Sequence, residues 1–215
     1  MKNIQNIAII GGGGRTGRFL VEALLRQGYL LQLLLRHPEQ FSIQNPAITT
    51  IQGDVLDPQA VNAVVAGCDA VISVVGQRKD EPLVASQATI NILHAIRSQP
   101  AGNDIRYIAL AGLNVDTPSD RKGPETQQAT SWMRETFPDI HADRQKSYAI
   151  LEESDVKWVL VRVPFIEFIP AKHNLQISLI DCPGTKVTAG DIAEFMIGLL
   201  DGDQYWRKAP FVANG

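Results

Sequence analysis

The sequence predicts an α/β fold, a single Rossmann-type domain over residues 1–215 with a doubly wound, mostly parallel sheet and helices on both faces. Two observations predict it. Short apolar runs alternate with amphipathic helical stretches, and the first run stops on four consecutive glycines that lead straight into a helix. A third observation sets the scale. The chain has 215 residues, 45% hydrophobic and 20% charged, enough for one domain that buries about 70% of its unfolded surface.

Ile7-Ala8-Ile9-Ile10 is apolar at every position and ends at glycine, the pattern of a strand buried on both faces. Residues 15–27 set Phe19, Leu20, Ala23 and Leu24 on one helical face, and Gly28 follows where a left-handed residue ends a helix. Strands are expected over 30–35 and 48–51. Asp57-Pro58 then supplies an N-cap and a first-turn proline for a helix over 58–66. The pattern continues with a strand over 70–75, a helix over 83–98 and a strand over 107–110. A helix over 142–153 and a strand over 158–161 follow, and Thr188 and Asp191 open a last helix through Leu200. Two stretches, 116–141 and 164–187, interrupt the alternation and are expected as loops. Both follow strand carboxyl ends, where ligands of open α/β sheets bind. Their Trp132, Met133, Phe137, Phe165, Phe168 and Ile169 either line a substrate pocket or pin the loops to the domain.

The bulk numbers exclude several classes. Net charge is −3, from 20 basic and 23 acidic residues spread along the chain, which is not the footprint of a nucleic-acid or anionic-membrane binder. No apolar run approaches the roughly 20 residues of a membrane span. Met1 to Asn6 run directly into the first strand and leave no room for a signal peptide, so a soluble, cytoplasmic protein is expected. Cys68 and Cys182 lie far apart, which points to two reduced, buried thiols and to no metal site.

The segment Gly11-Gly12-Gly13-Gly14-Arg15-Thr16-Gly17 sits directly between a strand and a helix, and that context gives the glycines their meaning. Positions 11, 14 and 17 match G-x-x-G-x-x-G, while 12, 14 and 17 match G-x-G-x-x-G. Such a turn uses positive φ and missing Cβ atoms to bring backbone amides to a pyrophosphate. The helix start adds free N–H groups and partial positive charge. A tight turn without a ligand is the plain alternative, but four glycines in a row cost conformational entropy and favour the ligand. At the end of the second strand an NAD site usually places an acid, whereas this chain reads Leu35-Arg36-His37-Pro38. A guanidinium can grip a 2′-phosphate that a carboxylate would repel, so NADPH is favoured over NADH unless Arg36 is a solvated surface charge.

With these motifs the chain resembles the atypical short-chain dehydrogenases, close to NmrA-like proteins and to the biliverdin-IXβ reductase and NADPH-flavin reductase group. The resemblance runs nearly full length, through GGGGRTGR (11–18), LLLRHP (33–38), the stretch 53–80, ESDVKWVLVRVPFI (153–166) and TKVTAGDIAEFMIGLL (185–200). It implies that Asp54 and Val55 edge the adenine and that Val75, Gly76 and Arg78 follow the ribose and phosphates. Ala111 and Gly112 would lie near the nicotinamide, with Pro164, Phe165 and Ile166 along its far side. Without the family, Asp54 reads as a turn or N-cap residue and Arg78 as a surface charge.

The chain departs from carbonyl-reducing short-chain enzymes, which use serine together with Tyr and Lys spaced Y-x-x-x-K on one helix face. Lys146 has Ala142 four residues before it, and Ala111-Gly112 stand where the serine is expected. Tyr148 is two residues from Lys146 and points to another face. Carbonyl reduction and epimerisation are therefore disfavoured. Lys146, Tyr148 and His141 stay as weak candidates for substrate contact. The expectation is NADPH-dependent hydride transfer to a flat conjugated acceptor, a flavin, quinone or linear tetrapyrrole, with solvent supplying the proton. Trp132, Phe165 and Phe168 would cover that acceptor. The alternative is a non-catalytic NADP(H)-binding redox sensor of NmrA type that reports to a protein partner.

Overall fold

The computed structural model describes residues 4–78, 81, 83–100 and 102–215. Strands β1 (Asn6–Ile10), β2 (Leu30–Leu35), β3 (Ile48–Gln52) and β4 (Ala70–Ser73) alternate with α1 (Arg15–Arg26) and α2 (Pro58–Val65). α3 (Ala85–Arg97), β5 (Arg106–Gly112), α4 (Pro124–Thr136), α5 (Pro138–Glu153) and β6 (Lys157–Val163) follow. The chain closes with β7 (Phe165–Glu167), β8 (Leu175–Ser178), β9 (Lys186–Thr188), α6 (Ala189–Gly198) and β10 (Phe211–Asn214). Among the described residues the main sheet has the order β3-β2-β1-β4-β5-β6-β10-β8, and β7 pairs with β9 separately. All pairings in the main sheet are parallel except β10 with β8. This is the expected doubly wound Rossmann architecture, with its strand order reversing between β1 and β4.

Alternation within each strand divides the core. Ala8 and Ile10 of β1 face Val61 and Val64 of α2, Ile92 and Ile96 of α3 and Leu151 of α5. Ile7 and Ile9 face the other way, with Leu20, Val21 and Leu24 of α1 and Ile192 and Met196 of α6. Side chains of period two on strands and of period 3.6 on helices thus fill two layers. Asp57 caps α2 by accepting from Gln59 N at 2.9 Å, and Thr188 caps α6 by accepting from Asp191 N at 3.0 Å, both as the sequence predicts.

The two expected loops contain regular structure. Most of 116–141 is helical: α4 starts with Pro124 at its first position, and Pro138 starts α5 one residue after Phe137 closes α4. α4 buries Thr126 and Thr130 rather than an apolar stripe, so it carries no hydrophobic periodicity to read. The 164–187 stretch holds β7, β8 and β9, each only three or four residues long. β10 lacks any expected counterpart, and its Phe211, Val212 and Ala213 are fully buried. Arg162 of β6 is also fully buried, held by Asp120 at 2.7 and 2.9 Å and by the carbonyls of Val115 and Ala209, each at 2.8 Å. That pair ties the segment after β5 to the sheet. Cys68 is buried and Cys182 partly so, and both are free. Among the described residues no helix is long and apolar enough to cross a membrane.

Candidate functional site

A groove of about 710 Å³ opens across the carboxyl ends of β1, β2, β4, β5 and β6, at the point where the strand order reverses. Its floor is the glycine turn. Of the four consecutive glycines only Gly11 has positive φ (+91°), and an added Cβ there would stand 3.0 Å from Val74 backbone. Gly17 is required by proximity, since its Cβ would fall 2.1 Å from Gly11 O. Gly13 and Gly14 are exposed and line the groove, and a Cβ on Gly14 would meet only Gly11 O, at 3.2 Å. The missing side chains at 13 and 14 therefore leave space on the groove side, while 11 and 17 close the turn. The N-terminus of α1 opens here with Arg15 and Arg18 and no acid in its first turn. That excess positive charge at a helix start is unfavourable unless an anion sits beside it.

Among the described residues five arginines line the groove: Arg15, Arg18, Arg36, Arg78 and Arg144. Among the described residues no carboxylate, serine, tyrosine or lysine lines it. At one end Arg36, just past β2, and Arg78, past β4, converge on Glu81. Arg36 Nη1 reaches both Glu81 carboxylate oxygens, at 3.0 and 2.9 Å, and Arg78 Nη1 reaches one at 2.7 Å. Arg78 also donates to Asp54 at 2.9 Å. These guanidiniums hold the Glu81 carboxyl below the usual carboxylate range. Burial alone would raise Asp54, but the bond from Arg78, the Leu56 N–H and the nearby charges outweigh it and keep Asp54 low. The sequence shows no acid beside Arg36; the fold brings two, from loops 18 and 45 residues away.

At the other end Arg144 of α5 lies against Val75, Leu110 and Ala111. Its Nη2 donates to Val75 O at 2.7 Å, and among the described residues no carboxylate oxygen comes within salt-bridge distance. Burial lowers its pKa from the ordinary arginine value, with neighbouring Asp143 opposing. Asp143 accepts from Ala85 N at 2.7 Å and Ser86 N at 3.2 Å, capping α3, whose own N-cap residue Val84 makes no side-chain bond. This clamp sets the position of α5 and so of Arg144.

The expected site residues fall into three groups. Gly11, Gly14, Arg15, Thr16, Arg36, Val55, Val75, Gly76, Arg78, Ala111, Gly112, Pro164, Ile166 and Phe168 line the groove. Gly17 and Asp54 stand just behind it, one packing the turn and the other holding Arg78. Phe165 and Trp132 do not line it. Phe165 is 69% exposed on β7, and Trp132 packs edge-on against Phe137 at 5.7 Å on the outer helices. Phe168 sits instead over the Arg15 guanidinium, 4.2 Å from its ring centre. Lys79 and Asp80, in the stretch 53–80 that carries the resemblance, lie outside the described residues.

The weak helix candidates also move away from the groove. Lys146 is exposed on the outer face of α5. Tyr148 turns into the core, edge-on to Trp158 and bonded to Glu152 at 3.0 Å; burial and that carboxylate push its pKa up to about 12. His141 is buried against Asn114 at 3.1 Å, and burial lowers its pKa. Sequence reading did not single out Arg144, which lines the groove, or Glu81, which holds Arg36 and Arg78. The signal for Arg144 was the inward helical row His141, Arg144, Ser147 and Leu151 at spacings of three and four.

Comparisons with known proteins bear on the family and the fold. A family model described as NAD(P)H-binding matches residues 11–203. Over 122 residues the chain is 32% identical to an isoflavone reductase homolog from Zea mays, covering 52% of this chain and 37% of that protein. Over 143 residues it is 24% identical to a cinnamoyl-CoA reductase from Petunia hybrida, covering 62% and 43% respectively. The matches thus span less than half the length of these curated relatives. In fold the chain is similar to an oxidoreductase from Lactococcus lactis, with TM-score 0.79 and 20% identity over 98% of this chain and 91% of that one. A short-chain dehydrogenase/reductase from Veillonella parvula in complex with NADP gives TM-score 0.78 and 15% identity, over 99% and 95%. An anaerobillin reductase from Escherichia coli O157:H7 gives 0.77 and 15%, over 98% and 97%.

Proposed function

The chain belongs to the NAD(P)H-binding family, and from that premise we propose that it is an NADPH-dependent reductase passing hydride to a flat conjugated acceptor. The observation that carries the reading is the groove itself: among the described residues five guanidiniums line a glycine-floored cleft, and the carboxylates near them, Asp54 and Glu81, stand at one end on Arg36 and Arg78, in a chain of net charge −3. Such a lining fits a ligand with phosphates along its length. In this reading Gly13, Gly14, Arg15 and the start of α1 hold the pyrophosphate. Arg36 and Arg78 take the 2′-phosphate, which is why NADPH is preferred over NADH. Val55 borders the adenine. The nicotinamide end lies by Ala111, Gly112, Pro164 and Ile166, with Phe168 covering the acceptor.

NADPH supplies a hydride when bound. Hydride addition to a flavin, quinone or linear tetrapyrrole leaves negative charge spread over the acceptor, and a proton from water completes the reduction. In this reading Arg144 stabilises that charge, since among the described residues its guanidinium meets no carboxylate of its own at this end of the groove. The absence of tyrosine, serine and lysine from the described lining argues against carbonyl chemistry that needs an internal proton donor. The fold neighbour named as an anaerobillin reductase is consistent with a tetrapyrrole among the acceptors.

The same absence favours one other reading, a non-catalytic NADP(H) sensor of NmrA type. NADPH consumption against a panel of FMN, dichlorophenolindophenol, quinones and biliverdins separates the two. Saturable oxidation with a member of the panel supports the reductase, and tight NADPH binding with no turnover across it supports the sensor.

A further inference from the structure

Arg36 and Arg78 come from different loops and meet on one carboxylate. Glu81 accepts three hydrogen bonds from them, at 3.0, 2.9 and 2.7 Å. Asp54 completes the cluster, 2.9 Å from Arg78 and 3.8 Å from Arg36. Among the described residues two cations thus face two anions. Any further anion arriving between the guanidiniums has to exchange with one of the resident carboxylates.

The two acids differ in how firmly they are held. Asp54 is tied from behind, where its Oδ1 accepts from Leu56 N at 2.9 Å. Glu81 is exposed, and among the described residues its carboxylate is held by the two arginines alone. Exposed pairs of this kind are weakly held and screened by salt. A phosphate monoester carries about −1.5 to −2 charge and three acceptor oxygens, so it outcompetes a single carboxylate for two guanidinium forks.

We propose that Glu81 occupies the position of the cofactor's 2′-phosphate and is displaced by it, so that this side chain sets how strongly NADPH is preferred over NADH. The inference rests on the groove being an NADPH site, as argued above. NADPH affinity is then that of an open pair of arginines reduced by the fraction of time Glu81 fills it. NADH carries a hydroxyl at the same position, has no anion to exchange, and leaves Glu81 in place. Glu81 therefore lowers the affinity for one cofactor and not for the other.

The test is calorimetric titration of NADP⁺ and NAD⁺ into the wild-type chain, Glu81→Gln and Arg36→Gln, with folding checked by thermal melts and Glu81→Ala as the second variant. Glu81→Gln is expected to tighten NADP⁺ about fivefold or more, as the loss of a pair of exposed ionic contacts predicts, and to move NAD⁺ less than about twofold. Arg36→Gln is expected to weaken NADP⁺ selectively. An NADP⁺ affinity unchanged or weakened in both Glu81 variants, with wild-type binding intact, overturns the proposal and leaves the NADPH reading standing. Equal tightening of both dinucleotides also overturns it, because Glu81 would then obstruct the ribose rather than the phosphate. A wild-type chain that binds neither dinucleotide overturns the functional reading, and this proposal with it.

Discussion

Arg144 brings a positive charge to the groove beside Ala111, with the Val75 carbonyl as its hydrogen-bond partner among the described residues. If that charge serves the acceptor, Arg144→Gln lowers kcat by about 10²–10³, the usual cost of one preorganised donor, while NADPH affinity changes only a few-fold. Arg144→Lys restores part of the rate. Steady-state kinetics beside equilibrium titration check this, and a large loss of NADPH affinity at unchanged kcat contradicts it. The aromatic cover gives a second comparison. Phe168→Ala is expected to raise KM for a flavin about two- to tenfold through lost stacking, whereas Trp132→Ala, outside the groove, leaves it unchanged. The glycine turn and Arg36 were legible in the sequence because their chemistry is local. Arg144 and Glu81 were not: one is marked only by which face of α5 turns inward, the other by contacts across 45 residues of chain.

Among the elements, α5 brings Arg144 to the groove, and the sequence delimits it only in part. Its expected start at 142 lies four residues inside the helix that begins at Pro138. With that start, Lys146 and Tyr148 drew attention that belongs to the row through Arg144. Asp143 fixes the helix by capping α3 with two hydrogen bonds to backbone N–H groups. Asp143→Ala is expected to cost about 1–2 kcal/mol of stability, the value of a lost cap, and a few degrees in Tm. It should also lower kcat by letting Arg144 shift, and thermal melts together with kinetics on the folded variant read both effects. A kcat unchanged alongside a lowered Tm would show that the clamp supports the fold without positioning the arginine. The short strands β7 to β10 escaped notice for a different reason: three or four residues give too little alternation to read, and only pairing across the sheet defines them.

Across the molecule, the parallel order of the sheet follows from the strand–helix alternation, and the reversal between β1 and β4 puts the groove where the glycines already pointed. The whole fold also answers to pH through His141, whose pKa is lowered from the ordinary 6.5 by burial and then by the Arg134 charge. Below about 6.5 the unfolded chain binds a proton that the folded chain refuses. Stability therefore falls as pH drops from that value toward the lowered folded one, and is level above it as far as this group is concerned. Denaturant unfolding of wild type and His141→Asn between neutral and mildly acidic pH checks this, with a flatter dependence expected in the variant. The central claim concerns the groove as a place where hydride passes from NADPH to a flat acceptor. Its most direct test is the single-turnover rate of acceptor reduction with NADPH carrying deuterium at the transferring carbon. The account predicts a slower rate with the deuterated cofactor and a loss of rate in Arg144→Gln. NADPH that binds tightly yet reduces no acceptor, with or without deuterium, would contradict it.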